Sequence, residues 1–501
     1  MGWVAYGMAE PGSANAAGSG DISPELADLR RYGRRMVRRF VLKARADERP
    51  TFRTIIADHL AVPVATLPVS EERWAGYEHP NVQAALDAWL AAPDRTVEVI
   101  GMTGHRHRGP FGLGDLIGPA DEEYYGHGPR PGNVSGVRVP TGPDGETIEC
   151  LRAAVLLVTD GDDRLALLYR GSDRESDVYG VTVEIVASRP AAAEAAARQL
   201  RALAVQHNVF RGQVVSFGRT MFDDHQSALQ LHRRTVVDPD HLILPAATFD
   251  DVRRQVVGVA RHRDRLRASG QHLKRGLLLY GPPGVGKTHT VRHLIGELTD
   301  TTVIELTGDT LGAIKEACSI ARTLQPAMIV VEDVDLIAEE RDHYGGSSPL
   351  LFTLLNEMDG LDEDADVVFL LTTNRADLLE PALAARPGRV DQAVHIDLPD
   401  AESRRRLVEL YGRGLDVDPA GIDDVIDRTA GVTASFLKEL LRRAAVVAVE
   451  RESADGTDAA GSVSVTTADL DAALAELLAT RNAMTRAVLG YRDAAVGDPA
   501  G

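Results

Sequence analysis

The residues best suited to chemistry lie in one glycine-rich segment, Gly281-Pro282-Pro283-Gly284-Val285-Gly286-Lys287-Thr288. Its glycines let the backbone curl so that successive N–H groups point inward and can hold phosphate oxygens. An apolar run at 277–279 precedes the segment, and a helical pattern follows from His289. The N-terminus of that helix favours the same negative charge. The G-x-x-x-x-G-K-[ST] pattern in this context predicts a nucleoside triphosphate site.

Lys287 and Thr288 have separate predicted roles in this segment. The lysine would reach the β- and γ-phosphates, and the threonine hydroxyl would complete the coordination shell of a Mg²⁺ ion. The other residues that we expect to surround the nucleotide are Gly281, Pro282, Pro283, Gly284, Val285, Gly286 and His289.

Polar residues follow two further apolar runs downstream of this segment. The run 328–331 ends in Glu332-Asp333, and the run 367–371 leads to Asn374. Continuous apolar runs of this length are typical of strands buried in a parallel sheet. Carboxylates at the end of such a strand lie where a Mg²⁺ ion and an attacking water need them. The amide of Asn374 is suited to holding that water near the γ-phosphate.

The composition argues against several classes of function. The chain has 501 residues and a net charge of −19, which disfavours nucleic acid and anionic membranes as partners. A basic helical face at 30–39 keeps the nucleic-acid alternative open, although a solvated, salt-bridged face is favoured. No apolar run approaches the ~20 residues that cross a bilayer. Cys150 and Cys318 lack partners of metal-ligand spacing. These features predict a soluble, cytoplasmic protein.

Changes in pattern along the chain predict six parts. Residues 1–20 are predicted to be disordered, 21–100 to form a helical unit, and 101–240 to form an α+β module. Residues 241–397 form the predicted nucleotide-binding domain, 398–480 a helical lid, and 481–501 a tail. The predicted fold class is therefore α/β, a three-layer P-loop NTPase with a parallel sheet and a C-terminal helical lid, preceded by a helical plus α+β region.

The order of these motifs resembles the AAA family of the AAA+ ATPases. The segment 373–391, which contains Arg386-Pro387-Gly388-Arg389, resembles the family's second region of homology. The resemblance implies ATP as the nucleotide, Asn374 as the sensor residue, and Arg386 and Arg389 as arginine fingers directed at a neighbouring subunit. It also implies that the segment 429–435 begins the lid helix over ribose and adenine, which places Gly431, Ala434 and Ser435 at the nucleotide.

Three features depart from the usual family pattern. The acidic pair is in the order Glu332-Asp333 and not Asp-Glu, as in the Bcs-type AAA proteins; strand register then gives Glu332 the metal role and Asp333 the water-activating role. The segment 307–326 has no aromatic residue, although unfoldases of the family carry an aromatic pore loop there. No His-Glu-x-x-His motif follows the lid, which argues against a membrane AAA protease.

Three functions remain open from the sequence. The favoured one is Mg²⁺-dependent ATP hydrolysis in a self-assembled ring, predicted to be a hexamer, that remodels a protein partner held by the N-terminal region. The second is an ATP-dependent switch or scaffold with slow hydrolysis and no threading, which the short base Asp333 and the missing aromatic favour. The third is a nucleic-acid motor, which the net charge disfavours.

Overall fold

A computed structural model of the chain describes residues 50–103, 111–118, 129–172, 180–219, 227–339, 349–377, 379, 390–454 and 462–479. The predicted basic face at 30–39 and the two predicted arginine fingers lie outside these residues. Within these ranges, no helix is both long enough and apolar enough to span a bilayer.

The N-terminal region is built on a six-stranded sheet. Its strands in sheet order are β1, β8, β7, β6, β2 and β3, and β4 and β5 form a separate hairpin. Strands β6 and β7 form a β-hairpin, paired from Ala153↔Arg170 to Asp160↔Asp163. The strand bounds are β1 Ser70–Ala75, β2 Arg95–Thr103, β3 Arg130–Gly132, β4 Gly136–Pro140, β5 Thr147–Leu151, β6 Ala153–Asp160, β7 Asp163–Arg170 and β8 Gly180–Ala187.

Helices cover both faces of this sheet. One face packs against α2 and α4, and the other against α1 and α3. The predicted helical unit 21–100 is therefore not a separate body, because its helices α1 and α2 lie on the sheet and it also contributes β1 and β2. Residues 70–75 belong to the sheet because they pair with β8 as its edge strand, β1. Their alternation of half-buried and exposed residues is typical of such a strand. The helix bounds are α1 Phe52–Leu60, α2 His79–Leu90, α3 Leu113–Ile117 and α4 Pro190–Gln206.

A seven-stranded sheet forms the centre of the second region. Its order is β10-β9-β12-β13-β14-β11-β15, and the five strands from β12 to β15 run parallel to their neighbours. Apolar clusters lie on both faces, which explains why these strands read as continuous hydrophobic runs. The bounds are β9 Val214–Arg219, β10 Ser227–His232, β11 Arg275–Tyr280, β12 Thr302–Leu306, β13 Ala327–Val331, β14 Val367–Thr373 and β15 Gln392–His395.

Strands β9 and β10 join the two regions. Both precede residue 240, where we predicted the N-terminal module to end. Strand β9 pairs in parallel with β12 from Val303↔Val214 to Glu305↔Ser216, and β10 adds to its other side. The sheet that carries the phosphate-binding segment is thereby extended by two strands that precede residue 240.

Helices flank the seven-stranded sheet and continue into the lid. The helical region 246–268 is interrupted by a π-helical turn at Arg254–Gly258 and again at His262. Segments of 3₁₀ helix occur at Val64–Thr66, Gly76–Glu78, Pro239–His241 and Gly308–Ala313. The helix bounds are α5 Ala246–Arg253, α6 Val259–Arg261, α7 Arg263–Ala268, α8 Lys287–Glu297, α9 Ile314–Thr323, α10 Val334–Glu339 and α11 Pro349–Asp359.

The lid is a helical body with its own core. Buried side chains from its helices form one apolar cluster, which also includes Ile243 of the segment before α5. A two-stranded parallel sheet, β16 Leu415–Val417 and β17 Val463–Val465, closes it and was not predicted. The lid helices are α12 Ala401–Tyr411, α13 Pro419–Arg428, α14 Ala434–Ala454 and α15 Thr467–Leu478.

Candidate functional site

The predicted phosphate loop, residues 281–288, connects β11 directly to α8. Gly281, Gly284 and Gly286 have φ values of 148°, 79° and 109°, a region that residues with side chains rarely adopt. Gly281 is also tightly confined, because a Cβ atom there would lie 2.1 Å from the carbonyl oxygen of Ile396. The loop therefore has the glycine-dependent curvature that the sequence predicted.

The Lys287 side chain folds back over this loop. Its Nζ atom donates hydrogen bonds to the carbonyl oxygens of Gly281 and Pro282 and to Oδ1 of Asn374, each 2.8 Å away. Burial lowers the pKa of Lys287, and the nearby carboxylates of Asp333 and Asp335 act in the opposite direction. The ammonium group is thus held by oxygen atoms that phosphate oxygens can replace.

Thr288 and Glu332 are close in space, because the Thr288 side chain acts to lower the pKa of the Glu332 carboxyl. Burial raises the pKa of Glu332, and the charges of Glu305 and Asp333 raise it further. One carboxylate and one hydroxyl provide hard oxygen ligands, and Mg²⁺ in nucleotide sites takes few protein ligands beside phosphate and water. The pair fits the predicted metal role, and no denser group of metal-ligating side chains occurs in the described part of the chain.

Asp333 has an unusual backbone conformation at the end of β13. Its φ is +52°, the left-handed region, and its N–H donates to Oγ1 of Thr372 at 3.1 Å. A non-glycine residue in this region costs about 1 kcal/mol or more and persists where the surroundings enforce it. Nδ2 of Asn374 donates to Oδ1 of Asp333 at 3.3 Å. The predicted base and the predicted sensor are therefore in direct contact.

Asp335 has a positioning role that the sequence did not reveal. This buried carboxylate accepts hydrogen bonds through Oδ1 from the Thr373 hydroxyl, 2.8 Å away, and from the Asn374 N–H, 3.2 Å away. It thereby fixes the end of β14, from which the Asn374 side chain reaches Lys287. The sequence contained one signal of this role, the third acidic residue that closely follows Glu332-Asp333.

A cleft of about 690 Å³ lies between the phosphate loop and the lid. Ser435 connects its two sides, because its N–H donates to the carbonyl oxygen of Gly284 at 3.2 Å. His289, Asp333, Asn374 and Ala434 line the cleft together with the loop residues 283–288. Lining residues that the sequence analysis missed are His241, Leu242, Ile243, Leu244, Arg292, Leu407, Leu410, Tyr411, Arg413 and Lys438.

Other predicted site residues lie away from this cleft or outside the described residues. Gly431 occupies a left-handed turn, with φ of 80°, before α14 and does not line the cleft. Arg386 and Arg389 fall in the range 380–389, which the structure does not describe. Their assignment as arginine fingers stays a prediction.

The segment 307–326, where unfoldases of the resembled family carry their pore loop, begins with a 3₁₀ helix, Gly308–Ala313. Thr307 caps it, since the Thr307 N–H donates to Oγ1 of Thr310 at 2.9 Å. Leu311 is buried in the core on one face of the seven-stranded sheet. The segment is thus packed down through its largest apolar side chain and offers no aromatic group.

Comparison with known proteins identifies the domain that contains this site. Residues 277–398 match the model of the ATPase family associated with various cellular activities (AAA). This range begins in β11 and includes the phosphate loop, the acidic pair and Asn374.

Curated relatives resemble the chain over a larger range. One is the ATP-dependent zinc metalloprotease FtsH 2 of Sphaerobacter thermophilus, 36% identical over 222 residues, which cover 40% of this chain and 34% of the relative. A second, the FtsH 2 of Symbiobacterium thermophilum, is 32% identical over 251 residues, covering 46% of this chain and 41% of the relative. The chain therefore spans less than half the length of these curated relatives.

Proposed function

Residues 277–398 of this chain are an AAA-family ATPase domain, and on that premise we propose that the protein is an oligomeric ATPase that remodels a protein partner. One observation carries the proposal. Lys287, Asn374 and Asp333 form a continuous chain of hydrogen bonds, and all three line the cleft between the phosphate loop and the lid.

The chemistry assigned to the site follows from the placement of its side chains. Lys287 exchanges its loop carbonyl partners for phosphate oxygens, where its charge stabilises the transferred phosphoryl group. Thr288 and Glu332 would hold Mg²⁺, which neutralises phosphate charge when bound. Asp333 takes the proton of an attacking water, and the Asn374 amide orients that water.

The lid would couple the state of the bound nucleotide to a conformational change. The cleft is lined on one side by the phosphate loop and on the other by α12 and α14, so a bound nucleotide contacts both bodies. Ser435 already connects them through the Gly284 carbonyl. Loss of the γ-phosphate changes the contacts that hold Lys287, and the lid angle is free to follow.

The N-terminal region is proposed to hold the partner. Its chain enters the nucleotide-binding sheet through β9 and β10, which gives a rigid connection to β12. Ring assembly, with six subunits and with Arg386 and Arg389 reaching a neighbour's nucleotide, is part of the proposal. A cytoplasmic location is part of it as well, supported by two buried cysteines that form no disulfide.

A second candidate function is an ATP-dependent switch or scaffold that does not thread its partner. The packed 3₁₀ helix at Gly308–Ala313 supports it, because Leu311 is buried in the core and this helix itself offers no aromatic side chain to grip a polypeptide. The side chain of Asp333, one methylene shorter than glutamate, supports slow hydrolysis. The net charge of −19 disfavours a nucleic-acid motor, and the basic face predicted at 30–39, which keeps that alternative open, lies outside the described residues.

The experiment that tests the proposal combines assembly and turnover. Mass photometry of the purified protein with and without ATP measures the oligomer, and phosphate release measures hydrolysis in the same samples. The proposal expects nucleotide-stabilised oligomers with turnover that rises with assembly. Nucleotide-stabilised oligomers without measurable turnover would favour the switch, and a monomer that hydrolyses ATP at every concentration would contradict both.

A further inference from the structure

One edge of the N-terminal sheet is open in the described part of the chain. Strand β3 covers the outer edge of β2 only at Gly101, Met102 and Thr103. The segment 95–100 pairs on its inner side with β6 and has no described strand on its outer side. An open edge presents a row of backbone donors and acceptors that can pair with another strand.

The pairing with β3 shows which backbone groups face outward. Pro131 lies opposite Met102 and has no N–H, so this pair does not exchange hydrogen bonds. Alternation along β2 then directs the N–H and C=O groups of Val97 and Val99 outward. The outward N–H of Arg95 is already satisfied by the carbonyl oxygen of Ala92, at 3.1 Å.

The side chains along this edge are apolar and exposed on one face. Val97 is 40% exposed, Val99 is 38% exposed and Val134 is 48% exposed. Val134 belongs to the same face as the other two, because the chain at Asn133 crosses directly over Gly101, where a Cβ atom would lie 2.0 Å from the Asn133 carbonyl oxygen. These three valines therefore form a strip that stays between about two-fifths and one-half exposed.

The opposite face of the same segment carries an exposed carboxylate. Glu98 lies between the two valines and points to the other side of the sheet, as alternation requires. Arg95, the nearest cation on β2, is already engaged with Asp160 at 2.6 Å and stacks over Trp89. A basic residue opposite Glu98 on an added strand would therefore balance the negative charge of that carboxylate.

We propose that this open edge, Val97–Val99 of β2, binds an extended segment of a partner polypeptide by strand addition. The segment alternates β-branched apolar residues, which cover the valines, with a basic residue opposite Glu98. A second copy of this chain fits less well, because two-fold pairing centred on this segment places Glu98 opposite Glu98. The bound segment would belong to the partner that the ATPase remodels, and only this part of the inference rests on the proposed function.

The test uses the full chain without nucleotide and a synthetic probe. The probe is a fluorescein-labelled peptide of sequence Val-Lys-Val-Thr-Val, whose lysine can face Glu98 while its neighbouring valines pair antiparallel with Val97 and Val99, so that the peptide ends before the edge that β3 covers at Gly101. The matched control peptide carries N-methyl groups on the two valines that flank the lysine. It keeps every side chain and loses the two donors that strand addition needs. Fluorescence anisotropy is expected to show saturable binding of the first peptide and binding at least about tenfold weaker for the second.

Two protein variants locate the site. Val99→Pro removes one outward N–H, and proline is tolerated on an edge strand when its nitrogen faces solvent. We expect it to weaken the probe about tenfold, whereas Val99→Thr, which keeps the backbone donor and the branched shape, changes affinity less than about threefold. Glu98→Lys should weaken the probe and strengthen a variant of it with glutamate in place of lysine.

Hydrogen exchange of the wild-type protein provides a test that does not depend on folding of the variants. The amides of Val97 and Val99 should exchange rapidly in the free protein and slow down with the probe, while the control peptide leaves them unchanged. Equal affinity for both peptides, or absence of binding, would overturn the proposal. Slow exchange of these two amides in the free protein would also overturn the proposal, whether residues 1–49 or a second copy covers them. None of these results bears on ATP turnover, so failure here is distinguishable from failure of the proposed ATPase function.

Discussion

The ammonium group of Lys287 donates to Oδ1 of Asn374 at 2.8 Å, and this contact connects the phosphate loop to the end of β14. The other end of the same amide donates to Asp333 at 3.3 Å. One side chain thus touches both the predicted phosphate ligand and the predicted base. We propose that when phosphate takes over Lys287, the amide loses one partner and can then orient a water beside Asp333.

Removal of the lysine should abolish nucleotide binding. Lys287→Ala deletes the one cation that lies within the described phosphate loop, and charge-assisted contacts to phosphate are among the strongest hydrogen bonds. Calorimetric titration with ATP should show no saturable heat. Lys315→Ala, at an exposed position on α9, is the matched control and should bind as the wild type does. Unchanged affinity in Lys287→Ala would refute the assignment of the loop.

Asp335 should be important for stability, although it does not line the cleft. Asp335→Ala leaves the Thr373 hydroxyl and the Asn374 N–H without their acceptor inside a buried site, at a cost of about 1–3 kcal/mol in the free energy of unfolding. Urea denaturation measures this loss. Asp264→Ala, at a highly exposed side chain, should change the midpoint little. Equal midpoints for the two variants would show that Asp335 positions nothing.

The arginine fingers should act between subunits. Arg386→Ala and Arg389→Ala are expected to leave nucleotide binding intact and to reduce hydrolysis on the order of 10³-fold, the scale of an arginine finger. Mixing either variant into wild-type protein tests whether each arginine acts on its own subunit or on a neighbouring one. Activity should fall more steeply than the fraction of mutant subunits. A strictly proportional decrease would mean that each subunit works alone.

The packed 3₁₀ helix predicts a protein that does not processively unfold a stably folded substrate. Threading requires a side chain that grips an extended chain at the ring axis, and Gly308–Ala313 provides no aromatic group. A folded fluorescent reporter carrying the valine and lysine probe as a tag should keep its native fluorescence with ATP. Tyr344, which lies outside the described residues, is the remaining aromatic candidate. Steady ATP-dependent unfolding that persists in Tyr344→Ala would contradict the prediction.

The sequence predicted those parts of the fold in which local pattern and buried environment agree. The runs 277–279 and 328–331 are apolar because both faces of their strands are covered, so β11 and β13 were found where predicted. The phosphate loop was found because its glycines have φ values that other residues rarely adopt.

The parts that the sequence missed depend on distant partners. Strand β9 looked like the end of the N-terminal module, and only its pairing with β12, about ninety residues later, assigns it to the nucleotide-binding sheet. Strand β2 contains exposed valines that carry no clear alternating pattern of burial. The positive φ of Asp333 and the two bonds to Asp335 are products of tertiary contacts that no local rule encodes.

The measurement that tests the central claim most directly compares ATP binding with ATP hydrolysis in Asp333→Asn. Asparagine tolerates the left-handed conformation at this position and keeps the shape of the side chain, but it cannot accept a proton from water. We expect calorimetric affinity for ATP close to that of the wild type and phosphate release reduced by about 10²-fold or more. Hydrolysis at the wild-type rate by this variant, with ATP bound equally well, would contradict the role assigned to Asp333 and with it the proposed active site.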